Sequence, residues 1–346
     1  MERQLTPVNG RIYNNGLVST GWFDQPFREV NIDEALRRDH YFLSLFSNYR
    51  LKHWFYFFVA NQDYLLAGVM FNSGYYNEFF IYLFDRISNE LIEFNASSFL
   101  SDNDSYISTS SILGGSVYRQ NRNHFSIMSV ENGDLIVNLN VRNNHYRLAG
   151  QVTLINYGEP LVNIRSVDVN RLIYTHQNSL LKVTGGIGLI TPEQHINIEF
   201  DDNSRGGIDF TMGYHTYHTD WYWASAFGIG NINGETFEVA INFARDINVT
   251  PHTTNNIFCY WIDDVIYRIY EHVNFVRMDR FRWMITSPSI NLVFSIEGTR
   301  HKSFNIGLLG YHYTQPIGTY TGEILHNDQW INVELFGVFE EHHSKW

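Results

Sequence analysis

The segment from Ser204 to Gly228 sets the first chemical question, because it places Asp209 shortly before two tryptophans, Trp221 and Trp223. A carboxyl group enclosed by aromatic side chains has its charged form disfavoured, so its pKa rises. Such a group holds a proton at neutral pH and gives it up as a general acid. Asp209 is the candidate for that role. Indole faces stabilise a nearby positive charge through the ring quadrupole, which makes Trp221 and Trp223 candidate ligand-binding residues. Standing two apart, they share one face of a strand. Alternation carried backward adds Thr219, Tyr217 and His215 to that face. It reaches Thr211 and Asp209 if Gly213 leaves the strand straight. His215 is then a second catalytic candidate, and Tyr217 and Thr211 join the binding set. The same residues have a structural alternative, in which Asp209 accepts backbone N–H groups in a turn and the tryptophans fill a core.

Other chemistries find less support. His215 and His218 are three apart, a spacing that suits a helix face and splits across the two faces of a strand. His53, His176, His272, His301 and His312 are scattered, and His342-His343 follow Glu340-Glu341 near the end of the chain. No His-Glu-x-x-His motif is present, so no metal is expected. There is no Gly-x-Ser-x-Gly elbow, and the single cysteine, Cys259, lies inside IFCYWID and reads as a small core residue. The run TGGIGL (184–189) lacks the Lys-Ser/Thr of a phosphate loop, and its glycines suit a bulge or close strand packing. No cofactor is expected. A glycosidase would need two carboxylates astride the bond, and Asp220, Glu235 and Asp263 have no spacing that singles out a pair.

Strands must position these residues. Short apolar runs separated by turn residues dominate: 51–60, 64–72, 79–87 and 90–94 follow in succession. Ser88-Asn89, Glu131-Asn132-Gly133-Asp134 and Asn233-Gly234 are the turn signals between flanking strands. In INLVFSIEG, Ile290, Leu292, Phe294 and Ile296 share one face, the period of a half-buried antiparallel strand. The best helix candidate is 31–46, with Asn31 or Asp33 as cap and Leu36, Leu43 and Phe46 at partial helical spacing. The expected fold is all-β. Closed barrels are the usual way to protect so many strand edges, and a chain of 346 residues suits two of lipocalin-like size.

Composition narrows the partners. Acidic residues number 36 against 24 Lys and Arg, a net charge of −12, which argues against nucleic acid. Aromatics make up 16% and charged residues 17%, which excludes disorder for most of the chain. The most apolar stretch, 53–71, is broken by Asn61-Gln62-Asp63 and reads as two strands and a turn, not a membrane span. The opening MERQLTPVNG has no apolar core of a secretory signal, and with one free cysteine a cytoplasmic location is expected.

Five segments in order resemble the domain-of-unknown-function 2804 family. They are GWFDQPFREVN (21–31), KHWFYFFV with SGYYNEFFIYLFD, IYTHQNSLLKVTGGIGL (173–189), IDFTMGYHTYHTDWYWASAFG (208–228) and the closing GEILHNDQWINVELFGVFEEHHSKW. That family is more distantly similar to the AttH-like and carotenoid 1,2-hydratase group. The resemblance implies two tandem antiparallel lipocalin-like β-barrels with little helix. It further implies an Asp-x-x-x-Gly element followed by a Trp-x-Trp strand, here Asp209, Gly213, Trp221 and Trp223, and an acid that protonates an alkene. Two positions depart from the pattern. Phe210 stands where the hydratase has His, and Gln177 stands two residues after Thr175, where the family often carries Lys. Thr175 belongs to the binding set by this resemblance.

The expected layout is an N-terminal segment 1–20, a barrel over 21–180 and a second over 181–346, with DDNSRGG (201–207) and RSVDVNR (165–171) as the plausible seams near a boundary at 175–205. The expected function is binding or transforming a lipophilic small molecule, by acid-catalysed hydratase-, cyclase- or isomerase-like chemistry around Asp209, His215, Trp221 and Trp223 in the C-terminal barrel mouth or between barrels. A non-catalytic lipid carrier of lipocalin type and a carbohydrate-binding protein are the alternatives.

Overall fold

A computed structural model of the chain describes residues 3–14, 16–18, 20–39, 47–99, 104–168, 171–246 and 257–345, and its regular secondary structure is nearly all antiparallel strand. The turn chemistry acts where the sequence placed it. Asn61 Oδ1 accepts from the backbone N–H groups of Asp63 and Tyr64 at 3.0 and 2.8 Å, so the polar break at 61–63 closes a hairpin between Leu51–Ala60 and Tyr64–Asn72. Asp85 Oδ1 does the same for Ile87 and Ser88 ahead of Glu90–Phe99. Asn233 and Gly234 take φ of 52° and 92°, the pair of positive values that a primed two-residue turn requires. Helix is confined to Ile32–Asp39 and Ser47–Arg50 among the described residues. The expected helix continued to 46, but 40–46 and the side chain of Leu36 lie outside the described residues.

The chain divides into two compact units, one of Met1–Phe84 with Ile92–His215, the other of Asp85–Leu91 with Thr216–Trp346. The first holds a 14-stranded sheet among the described residues. Its main path runs Glu90–Phe99, Tyr76–Asp85, Tyr64–Asn72, Leu51–Ala60, Arg205–Tyr214, Arg171–Ile190, Arg147–Ile155, Leu135–Arg142, Asn123–Ser129, Gly115–Gln120 and Ser105–Tyr106. The second holds nine strands in the order Val265–Arg268, Ile257–Ile262, Glu235–Asp246, His218–Ile232, Gln329–Lys345, Gly310–His326, Ile290–Asn305, Arg282–Ser287 and Asn274–Arg277. Each sheet curls into a half-barrel of lipocalin-like type. The curl closes each sheet over its own core, with Phe55, Phe57, Tyr118, Phe125, Tyr174 and Phe210 in the first and Phe243, Trp283, Phe294, Tyr320 and Phe339 in the second.

The boundary expected at 180 falls inside the continuous strand Arg171–Ile190, and the units divide instead between His215 and Thr216. The cause is pairing. Arg205–Tyr214 runs ten register pairs against Leu51–Ala60, which ties it to the N-terminal strands. TGGIGL is the end of the Arg171–Ile190 strand, paired with both Arg147–Ile155 and His195–Phe200.

Cys259 is fully buried, its thiol donates to the Asn242 carbonyl, and burial pushes its pKa up. The native chain is therefore expected to resist a disulfide reagent such as DTNB at pH 8, releasing one equivalent of chromophore only after unfolding in guanidinium. Stoichiometric labelling of the folded chain within minutes would contradict this burial.

Candidate functional site

Arg205–Tyr214 lies between Leu51–Ala60 and Arg171–Ile190, and alternation gives it two different faces. Ile208, Phe210, Met212 and Tyr214 enter the core with Phe55, Phe57 and Tyr174. Asp209 and Thr211 take the other face. In register, Asp209 stands opposite Tyr56 and Gln177, and Thr211 stands opposite Trp54 and Thr175. That second face is also buried, with Tyr56, Thr175, Gln177, Asp209 and Thr211 all below a tenth exposed. Polar groups in such a position must satisfy one another.

They do so around the carboxyl of Asp209. The Trp54 indole N–H donates to Oδ2 at 3.0 Å, and the Thr211 hydroxyl donates to Oδ1 at 2.8 Å. Thr175 and Thr211 hydroxyls are 3.2 Å apart, extending the chain by one link. Burial is the main influence on the carboxyl and pushes its pKa up. Hydrogen bonds from Trp54, Thr211 and Gln177 and the charge of Arg165 work in the opposite direction. Desolvation thus favours the neutral acid, while a donor set stands ready for the carboxylate that remains after proton transfer. Asp209 is not a turn cap, since Trp54, Thr211 and Gln177, which hydrogen-bond its carboxyl, are side chains on three adjacent strands. His215, at the end of this unit, packs its ring 5.5 Å from that of Trp54.

Trp54 and Gln177 went unrecognised as partners of Asp209. Gln177 carried a signal, two residues from Thr175 and so on its face. Trp54 carried none, because its apolar strand reads as core on both sides and its register against residue 209 is not local.

The single face expected from 209 to 223 does not form. The strand ends at Tyr214 and the next begins at His218 in the other sheet. Threonine hydroxyls cause the break: Thr216 Oγ1 donates to the His218 carbonyl at 2.6 Å, and Thr219 Oγ1 donates to the Thr216 carbonyl at 2.8 Å. Side chains that take backbone acceptors in this way end a ladder. The predicted site residues therefore separate. Asp209, Thr211, Thr175 and His215 belong to the first unit, and Tyr217, Trp221 and Trp223 to the second. The expectation that Asp209 lies in a C-terminal barrel is corrected with them.

In the second unit Trp221 donates its indole N–H to Glu340 Oε1 at 2.7 Å, and Gln315 Nε2 donates to Glu340 Oε2 at 3.2 Å. The ring of His342 stacks on Trp221, with centroids 3.8 Å apart and planes 4° from parallel. Burial, with the charges of His343 and His312, lowers the His342 pKa to about 3, so the imidazole is neutral. Trp223 is buried and donates to Asn242 Oδ1 at 2.9 Å, while Tyr217 is exposed and donates to the Leu308 carbonyl. Neither tryptophan forms an exposed platform for a sugar. The three acids considered for a glycosidase pair are placed apart in role: Asp220 meets His343 Nδ1 at 3.0 Å, Glu235 is exposed beside a hairpin turn, and Asp263 accepts from the Glu238 backbone N–H.

No helix among the described residues is long and apolar enough to cross a membrane. The family model described as Domain of unknown function (DUF2804) matches residues 2–346. Among solved structures the chain is similar to CghA with Sch210972, at 12% identity and a TM-score of 0.53, covering 85% of this chain and 88% of that one. It is also similar to CghA alone, at 12% identity and a TM-score of 0.51 over the same shares. Kievitone hydratase from Nectria haematococca matches at 11% identity and a TM-score of 0.46, over 84% of this chain and 88% of its own. No curated protein matches.

Proposed function

We propose that this chain, which belongs to the DUF2804 family, binds a lipophilic small molecule against the Asp209 face of the first unit and transforms it with Asp209 as general acid. The observation that carries this reading is the Asp209 carboxyl itself, buried, driven toward its neutral form, and held by Trp54 and Thr211. A neutral carboxyl donates its proton to an unsaturated carbon or to oxygen. The anion left behind is stabilised by the donors already in place, which lowers the barrier without reorganisation. The tyrosine and threonine hydroxyls beside it suit a substrate with one polar group on an apolar body. A fold shared with CghA, whose structure was solved with Sch210972, supports a small organic ligand. Phe210, where the related hydratases have His, turns into the core, so the acid acts here without an imidazole next in sequence.

Native mass spectrometry of the chain purified from its source cell is expected to reveal a copurifying apolar molecule. Incubation with that molecule is expected to give a product whose formation falls at least about a hundredfold in Asp209→Asn, the span general acids contribute. Binding should persist in the variant. A bound ligand that neither protein alters sinks the catalytic part and leaves a carrier.

A further inference from the structure

The two sheets repeat one arrangement. Leu51–Ala60, Arg205–Tyr214 and Arg171–Ile190 are neighbours in the first, as His218–Ile232, Gln329–Lys345 and Gly310–His326 are in the second. Thr211 pairs with Trp54 on one side and Thr175 on the other, and His342 pairs with Trp221 on one side and Tyr313 on the other. Two residues before each central position stands an acid, Asp209 or Glu340. Two residues after each outer partner stands a glutamine, Gln177 or Gln315. The contacts repeat as well as the register. Each carboxyl accepts an indole N–H, from Trp54 at 3.0 Å and from Trp221 at 2.7 Å, and each has its glutamine as a hydrogen-bond partner. In each unit a histidine ring lies against the tryptophan, His215 or His342. Both arrangements lie on the face opposite their own core: Ala224, Ala226 and Phe339 enter the core while Trp221 and Glu340 do not.

We propose that the second unit carries a ligand site of its own, with Glu340 in the place that Asp209 holds in the first, and that this site takes an uncharged, flat, unsaturated molecule bearing one hydrogen-bond donor. The differences between the two arrangements define the ligand. Where the first has the hydroxyls of Thr211 and Thr175, the second has the rings of His342 and Tyr313. Trp221 and His342 are parallel, Tyr311 lies 11° from the plane of His342, and Tyr313 stands edge-on to it. Such a set offers π-faces to a planar group. The neutral imidazole adds no charge. Arg300, whose buried guanidinium lies 5.4 Å from the Tyr313 ring, stands opposite Gln315 in register and so brings a cation onto the row that carries the Glu340 carboxyl. An uncharged ligand is what that balance favours, with Glu340 accepting its donor group. The ligand-facing role rests by analogy on the reading of Asp209, whereas the location stands on the contacts of Glu340 itself.

The test uses the full chain and the uncharged fluorophore N-phenyl-1-naphthylamine, titrated by emission with stoichiometry from native mass spectrometry. Two probes per chain are expected. Glu340→Gln should weaken one binding event at least about tenfold and leave the other, while Asp209→Asn should leave both. His342→Ala, which keeps the acid and removes the stacked ring, should weaken the same event as Glu340→Gln and serves if that variant does not fold. If Asp209→Asn leaves turnover of the copurified molecule intact and the Glu340 variant changes one binding event, the function proposed for Asp209 fails and the second site stands. One probe per chain or none, or two events indifferent to both Glu340→Gln and His342→Ala, overturns the second site.

Discussion

Gln177→Lys is expected to pull the pKa of Asp209 down, the usual effect of a cation placed within reach of a carboxylate. Position 177 is the register partner of Asp209, and its side chain already reaches that carboxyl. A lysine there replaces a neutral donor with a charged one while desolvation stays the same. The linkage signs differ between the two proteins. In the wild type the folded pKa is raised, so Asp209 contributes stability that is complete below the unfolded value, about 4, and is lost as pH rises through the folded value. In the variant the folded pKa falls back toward or below the unfolded value, and that loss shrinks or reverses. The stability of the variant relative to wild type should therefore rise between about pH 4 and neutrality, by about 1.4 kcal/mol for each unit of pKa change. Urea unfolding at several pH values measures the slope, and carboxyl carbon NMR measures the pKa directly. The variant should also lose acid-catalysed turnover at neutral pH while keeping its ligand. A flat stability difference with an unmoved carboxyl resonance would mean that the acid is not the neutral group on which the proposed chemistry depends.

Gly337→Val is expected to destabilise the second unit by about 3 kcal/mol or more, at the upper end of overpacking costs. Gly337 pairs with Ala226 on one side and Gly318 on the other, a row without bulk across three strands. A Cβ at Gly337 would sit 2.2 Å from the Ser225 carbonyl oxygen and 2.6 Å from the Ala226 Cα. Both are backbone atoms, so no rotamer change relieves the clash and the strands must move apart. A glycine inside a strand can mark a place where another backbone comes close, and side-chain bulk there forces the strands apart. The large cost thus follows from the close approach of the neighbouring strand's backbone, not from a local conformational preference. Chemical denaturation is the measurement, and a loss below about 0.5 kcal/mol, the range of ordinary surface changes, would show that the row is slack.

Strand positions were legible because their causes are local. Period two in INLVFSIEG and a positive φ at Asn233-Gly234 depend on a few neighbouring residues, and the structure has strand and turn at those places. The candidate site was legible only in part. Asp209, Thr211 and Thr175 come together as a group, since the cross-strand pair Thr175–Thr211 brings the two segments to one face. The link from Asp209 to Trp221 and Trp223 failed for a physical reason. It assumed that alternation survives Tyr214–His218, where the hydroxyls of Thr216 and Thr219 take backbone carbonyls and send the chain into another sheet.

By itself the sequence determined an all-β chain, its main hairpins, a charge unsuited to nucleic acid, and the identity of one acid worth attention. These follow from side-chain period, turn chemistry and composition, which act over a few residues or over the whole chain. Only the tertiary structure decided which strands are neighbours. The indole that holds Asp209 is 155 positions away, and the one that holds Glu340 is 119 positions away. Strand order and register over such separations depend on how the two cores close, and no pattern within a single strand encodes them.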